Sequence, residues 1–363
     1  MKVCLISPPY NSAVKSVVGV SSPPLGLAYI ASMLRQDHDV KIIDSNILNY
    51  TIEDVEKELR SFYPDIVGIT SVTPSIYQAY EVAETAKRMR KDCTVVLGGP
   101  HATFLPIETL KECRYVDVIV RGEGEETIKD LVETIEKGEN LDNVKGITFR
   151  KGDEIVDVGP RLFMKDIDDI PFPSRDLLPI HLYNVNGVKY TTMLTSRGCP
   201  FRCSFCSSSR LFGGSWRGRS PENVLEEMKN IYDEYNIRNF EFMDDTFTLD
   251  QKRAERICDG IVEEGLDISW GASSRVDTLS KKLVEKMKKA GCWILFLGIE
   301  SGCQKILDAV GKRITIEQAK KAVKIVKDAG IQVLGSFIIE IYVCLLVNKK
   351  FISFHSFSFH SFK

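Results

Sequence analysis

The sequence predicts an α/β protein made of two successive strand-and-helix alternations, and three observations carry that reading. Short β-branched runs alternate with amphipathic stretches from residue 1 to about 150, the alternation lapses through a proline-rich segment, and it resumes from residue 190. The 363 residues suffice for two domains with full cores, and 44% hydrophobic with 27% charged residues is ordinary globular composition. The expected division is a first domain over 1–145, a connection over 146–189, a second domain over 190–340 and an atypical tail over 341–363.

In the first domain the strand candidates are Val3–Ser7, Val40–Asp44, Asp65–Thr70, Thr94–Leu97 and Val116–Val120, with helices near 25–35, 52–62, 75–90 and 125–137. Alternation at this spacing calls for a parallel sheet covered on both faces, and five strands point to the flavodoxin-like, Rossmann-like doubly wound form. Ligands of such sheets bind beyond the carboxyl ends of the strands, at the topological switch point. Four loops qualify: Ser7-Pro-Pro-Tyr10, Thr70-Ser-Val-Thr73, Gly98-Gly-Pro-His101 and Arg121-Gly-Glu-Gly-Glu125. Their small residues let a large flat ligand approach the backbone, although each loop taken alone is equally an ordinary tight turn. No Gly-x-Gly-x-x-Gly follows the first strand, so the dinucleotide fingerprint is missing.

The connection opens with Gly146–Arg150 and Glu154–Val158 around Lys-Gly-Asp, a hairpin pattern. The prolines of Ile170-Pro-Phe-Pro-Ser-Arg-Asp-Leu-Leu-Pro179 exclude a long helix or central strand there, which predicts a strap across both domains. Asp166, Asp168 and Asp169 read as a solvated charge run.

Beyond residue 190, strands are expected at 190–195, 238–243, 268–273, 293–299 and 331–339, and helices at 221–235, 250–264, 279–290 and 315–329. Ser220-Pro221 and Thr315 are sensible helix starts. The first of these strands leads into a loop carrying Cys199, Cys203 and Cys206, with three and then two residues between them. Thiolates this close can share one inorganic core, and Gly198 and Pro200 let the backbone wrap it. Four-iron clusters usually take four cysteine thiolates, so three leave one iron open to a chelating molecule. Zinc and three ordinary thiols are the competing readings. Zinc usually takes two separated ligand pairs, and no second Cys-x-x-Cys or His-x-His pair follows. The other seven of the ten cysteines are scattered singly, as small buried hydrophobes usually are.

The Cys-x-x-x-Cys-x-x-Cys spacing, with Phe205 before its last cysteine, resembles the radical S-adenosylmethionine (SAM) enzymes. That resemblance implies a partial (β/α) barrel of the TIM type and a [4Fe-4S] cluster on Cys199, Cys203 and Cys206. The open iron would chelate SAM, and an electron from the cluster would cleave it to a 5′-deoxyadenosyl radical. It also implies SAM contacts at Phe205 and at strand ends: Asp244 and Asp245 for the methionine amine, Ser273 and Arg275 for the carboxylate, Glu300 and Ser301 near the ribose or carboxylate. A capping aspartate or barrel salt bridge is the plainer alternative at each. Trp216 and Arg217-Gly-Arg219 would either cover the cofactor or form an exposed turn.

The stretches Pro23-Pro-Leu-Gly-Leu-Ala-Tyr-Ile-Ala31, Gly98–Thr103 and Asp117–Glu126 resemble the cobalamin (B12)-binding domain that precedes many radical SAM cores. The implied cobalamin contacts are Pro9, Tyr10, Leu25, Gly26, Ser71, Val72, Thr73, Gly98, Gly99, His101, Glu123 and Gly124. The Asp-x-His-x-x-Gly segment of some such domains is missing, since His38 lacks the following glycine, so cobalt is expected without a histidine ligand.

Together these resemblances imply a cobalamin-dependent radical SAM enzyme that methylates carbon, with oxidative cyclisation as the alternative chemistry. A non-catalytic cobalamin- or metal-binding protein is one rival. A tRNA methylthiotransferase is another, requiring Cys4, Cys93 and Cys113 to hold a second cluster. A small-molecule substrate and an electron donor such as flavodoxin or ferredoxin are the implied partners. The net charge of −2 leaves no footprint for nucleic acid. Met1-Lys2 runs straight into a strand with no signal-peptide h-region, and no run is long enough to span a bilayer, which predicts a reducing, cytoplasmic setting. After Gly335–Ile339 the expected pattern gives way to Glu340-Ile-Tyr-Val-Cys-Leu-Leu-Val and an alternation of Phe, Ser and His, the sign of a truncated or frameshifted end.

Overall fold

A computed structural model of the protein describes residues 1–10 and 21–339; the tail reading falls outside them. The chain forms two compact units, Met1–Met193 with Asn230–Asn239, and Leu194–Lys229 with the described chain from Phe240.

The first unit is built on a seven-stranded sheet: β1 (Lys2–Ser7), β2 (Asp39–Asp44), β3 (Ile66–Thr70), β4 (Thr94–Gly98), β5 (Val118–Val120), β6 (Ile147–Lys151) and β7 (Glu154–Asp157). Its order is β2-β1-β3-β4-β5-β6-β7, parallel through β5. The first five strands thus have the flavodoxin-like order, with the switch point between β1 and β3. The predicted hairpin forms, but it extends this sheet as two antiparallel strands, β6 pairing with β5 and β7 with β6. The fifth strand starts two residues later than expected because the Asp117 carboxylate itself takes the Val95 N–H at 2.7 Å. Two short helices, Pro100–Phe104 and Pro106–Glu112, fill a stretch that periodicity left open. Strand faces and helix stripes close over an aliphatic core that includes Ile6, Val67, Ile69, Val82, Leu97 and Ile119.

Downstream lie β8 (Asn184–Val185), β9 (Val188–Lys189), β10 (Thr191–Met193), β11 (Ser196–Arg197), β12 (Arg217–Gly218), β13 (Asn239–Phe242), β14 (Ser269–Arg275), β15 (Cys292–Glu300) and β16 (Gln332–Phe337). In the second unit β13, β14, β15 and β16 are neighbours in that order, and β14 to β16 run parallel. Helices Gln251–Glu263, Lys281–Lys289 and Ile316–Asp328 make the crossovers, which is half-barrel architecture. Thr315 caps the last of them in a capping box with Gln318. Phe242 stacks on Phe247 at 5.1 Å and lies 5.0 Å from Trp270, whose indole N–H donates to the Ala290 carbonyl. Since Phe242 and Trp270 share that buried face, Glu241 and Ser273, one residue from Phe242 and three from Trp270, lie on the opposite one.

Candidate active site

In the first unit the loops beyond β3 and β4 interlock at the carboxyl edge. The Ser71 N–H and hydroxyl both donate to the Gly98 carbonyl, at 2.9 and 3.1 Å, and the His101 N–H donates to the Ser71 carbonyl at 3.3 Å. Gly99 has φ +94°, and a Cβ there would fall 2.5 Å from the Ser71 carbonyl oxygen. Only glycine fits such an approach. Thr73 Oγ1 lies 3.1 Å from His101 Nδ1, and Val72 is exposed beside them. Beyond β1, Pro9 and Tyr10 are half-buried, and the Tyr10 N–H donates to Asn46 Oδ1 at 3.1 Å. Leu25 is buried in the core, whereas Gly26 is exposed with open space where a Cβ would be. Gly124 packs its backbone on Ile30, and Glu123 stands next to it, half-buried. These mostly small, uncharged groups at the switch point fit a broad, flat ligand held against backbone. His38 instead lies in the turn entering β2, beside the Met1 amine at 3.3 Å and at the amino end of the strands. Cys4, Cys93 and Cys113 are buried in the core, and burial pushes their thiols up, that of Cys4 to about 12. They behave as packing residues.

In the second unit β11 and β12 pair antiparallel and close the cysteine loop at its base. Gly198 makes the turn at φ +84°, and a Cβ there would fall 2.2 Å from the Ser215 carbonyl oxygen. Cys203 is buried and Cys199 and Cys206 are half-buried, with the Cys206 N–H on the Cys203 carbonyl at 3.1 Å. Burial raises the Cys199 thiol above its ordinary value. A bound metal centre lowers thiol pKa and so offsets that cost. Among the described residues no three His, Cys, Asp or Glu side chains converge on one metal ion. A cubane asks for something else, one thiolate at each of three separate irons, and three thiols spread along a loop fit that demand.

The strand ends carry the residues expected there, several of them bound to protein partners, and Glu300 in the barrel salt bridge offered as its alternative. Asp244 is buried and its carboxylate accepts from the Thr195 N–H and hydroxyl, at 2.7 and 2.6 Å, and from the Ser196 hydroxyl. It braces the entry to the cysteine loop. Asp245 is reached by solvent, yet the protein on its other sides raises its carboxyl by desolvation, against the pull of the Ser208 hydroxyl and the Gly198 N–H. The Arg275 guanidinium is buried and forked onto Asp277, with Nε and Nη2 each 2.9 Å from a carboxylate oxygen. Glu300, at φ +64°, is paired with buried Lys312 at 2.8 Å. Gly298 makes room for that pair, since a Cβ there would lie 2.7 Å from both charged atoms. Ser301 closes a local turn by accepting the Cys303 N–H at 3.2 Å. Ser273 is half-buried on the face it shares with Glu241, whose carboxyl desolvation pushes up. Phe205 is exposed, with the Lys312 ammonium 5.9 Å from its ring centroid.

Lys312 and Glu241 escaped sequence reasoning. Lys312 lies before the helix that Thr315 starts, in a stretch with no motif, and Glu241 sits beside the more conspicuous Asp244-Asp245 pair. Trp216 and Arg217-Gly-Arg219 are not an exposed turn. Trp216 packs against Gly218 and Arg253, while Arg219 is buried in an ion pair with Glu227.

Comparison with known proteins agrees with both halves. The family model of the B12 binding domain matches residues 11–132, and that of the radical SAM superfamily matches residues 193–345. An uncharacterized methyltransferase of Pyrococcus horikoshii is 50% identical over 93% of this chain and 74% of its own length. The anaerobic magnesium-protoporphyrin IX monomethyl ester cyclase of Cereibacter sphaeroides is 33% identical over 93% of this chain and 57% of its own length. The cobalamin-dependent SAM radical enzyme OxsB, solved with aqua-cobalamin and SAM bound, superposes with a TM-score of 0.81 at 26% identity, over 93% of this chain and 49% of that one. The chain therefore spans between about half and three quarters of these relatives. No helix among the described residues is long and apolar enough to cross a membrane. With its three-cysteine loop, its half-barrel and its flavodoxin-like sheet, the chain belongs to the cobalamin-binding radical SAM enzymes, whose cofactors are a [4Fe-4S] cluster, SAM and cobalamin.

Proposed function

We propose that this protein is a cobalamin-dependent radical SAM methylase acting on an unactivated carbon of a small molecule. One observation carries the reading: the chain joins a three-thiol loop to a switch-point cradle of small residues, and a relative sharing half its residues is named a methyltransferase. When bound, the cofactors supply reductive cleavage of SAM and a transferable methyl group. Cys199, Cys203 and Cys206 hold the cluster. Asp244, Arg275 and Glu300 are buried on protein partners, whereas the Asp245 carboxylate is reached by solvent, so Asp245 is assigned to the SAM ammonium, and exposed Phe205 and half-buried Ser273 to the rest of the molecule. Ser71, Val72, Thr73, Gly98, Gly99 and His101 line the cobalamin side. A one-electron donor of the flavodoxin or ferredoxin type and a reducing, cytoplasmic setting complete the proposal.

The test is anaerobic turnover of SAM by the reconstituted chain with reductant and hydroxocobalamin, whose reduced form can accept the SAM methyl group, following two products. A methylase yields both 5′-deoxyadenosine and S-adenosylhomocysteine. The cyclase relative favours a second reading, which yields 5′-deoxyadenosine without S-adenosylhomocysteine. Absence of both products sinks each reading and leaves a cobalamin-binding protein.

A further inference from the structure

We propose that Arg275 is a positioning residue for the cluster ligand Cys203, setting the ease with which the cluster is reduced rather than gripping SAM. The proposal rests on the radical SAM reading of the site.

Every edge of the guanidinium is committed inside the second unit. Nε and Nη2 fork onto Asp277 at 2.9 Å each, and Nη2 also donates to the Lys312 carbonyl at 2.8 Å. Nη1 points at Cys203 Sγ from 3.9 Å, within reach of a bond to sulfur. Its face lies on the Phe201 ring, 3.6 Å from the centroid, so it pins the residue between Cys199 and Cys203 as well. The segment after residue 309 supports the same loop, since the Ser204 N–H donates to the Val310 carbonyl at 2.9 Å and the Lys312 ammonium rests near Phe205. Arg275 is only 4% exposed, so no edge is left over for a carboxylate ligand. A planar fork can hold Asp277 and reach a sulfur at once, which a lysine cannot. Hydrogen bonds and positive charge at cluster sulfurs stabilise the reduced, more negative state and are among the means by which proteins set cluster potentials.

The experiment is a reductive titration of the anaerobically reconstituted full chain, followed by electron paramagnetic resonance without SAM, alongside SAM binding by equilibrium dialysis. Arg275→Gln is expected to make cluster reduction about tenfold less favourable, about 59 mV for a one-electron couple, with SAM affinity unchanged. Asp277→Asn keeps the guanidinium but removes its anchor, and is expected to shift the potential the same way by less. It carries the test if Arg275→Gln fails to assemble a cluster. An unchanged potential in the variants that assemble overturns the proposal, and if SAM affinity falls instead, Arg275 is the SAM carboxylate clamp. A wild-type chain that takes up no cluster overturns the radical SAM reading itself, before any variant is compared.

Discussion

At the carboxyl edge of the first sheet the chain offers a ligand mostly backbone and small side chains: Ser71, Gly98 and Gly99, held by carbonyl and amide bonds between adjacent loops, and Gly26 in the first turn of the helix Leu25–Leu34. At the cysteine loop of the second unit it offers charge instead. Asp244 braces Thr195 and Ser196, Arg275 is forked onto Asp277, and Lys312 pairs with Glu300. The contrast follows from what each region holds. A broad neutral ring system is recognised by shape and close approach, whereas thiolates around a cluster concentrate negative charge on a loop with little regular structure, which needs buried counter-charges to stay in place.

The sharpest break in that contrast is at the thiols. Cys203→Ala should abolish cluster iron entirely while leaving cobalamin binding intact, checked by iron and sulfide assay beside the cobalamin absorbance spectrum. Retention of stoichiometric iron would argue that some other ligand set holds the metal. Next in size is Lys312→Met, which leaves the Glu300 carboxylate buried without its cation. Breaking one side of a buried pair costs about 3–5 kcal/mol. The double variant Lys312→Met with Glu300→Gln should recover most of the loss in denaturant unfolding, and equal losses in single and double variants would deny the pair its bracing role.

The first region breaks differently. Gly99→Ala places a methyl against the Ser71 carbonyl at positive φ and should cost about 1–3 kcal/mol of local strain, weakening cobalamin binding and sparing iron. Gly26→Ala meets no neighbouring atom and gains about 0.5–1 kcal/mol of helix preference. Tighter folding with weaker cobalamin binding would show that the open face of Gly26 carries the ligand; unchanged binding would remove Gly26 from the cradle.

The same contrast explains what sequence could reveal. The parallel first sheet was legible because strand-helix alternation is local, and five such strands pointed to the flavodoxin-like form that β1 to β5 take. The cysteine triplet was legible because its ligands are close in sequence. The braces were not. Asp244 meets Thr195 across 49 positions and Arg275 meets Cys203 across 72, so their places at strand ends could be read while the partners that occupy them could not. The hairpin 147–157 was legible as a hairpin, but its docking as β6 and β7 depended on the free edge of β5, which no local pattern displays.

Glu241 gives the smallest expected effect and bears on whether the face it shares with Ser273 is meant for a ligand. Its carboxyl is raised by desolvation alone, so the folded state binds the proton more tightly than the unfolded state does. Between the two pKa values the native protein carries the extra proton, and stability falls as pH rises through that window. Glu241→Gln should therefore raise the Tm slightly near neutral pH, and the gain should vanish below the ordinary carboxylate range, where both states of the wild type are protonated. Thermal unfolding across pH reads this directly. A variant less stable than wild type at neutral pH would mean that the carboxylate has a stabilising partner when charged. A stabilised variant with weaker SAM binding would place Glu241 among the groups that trade stability for the ligand.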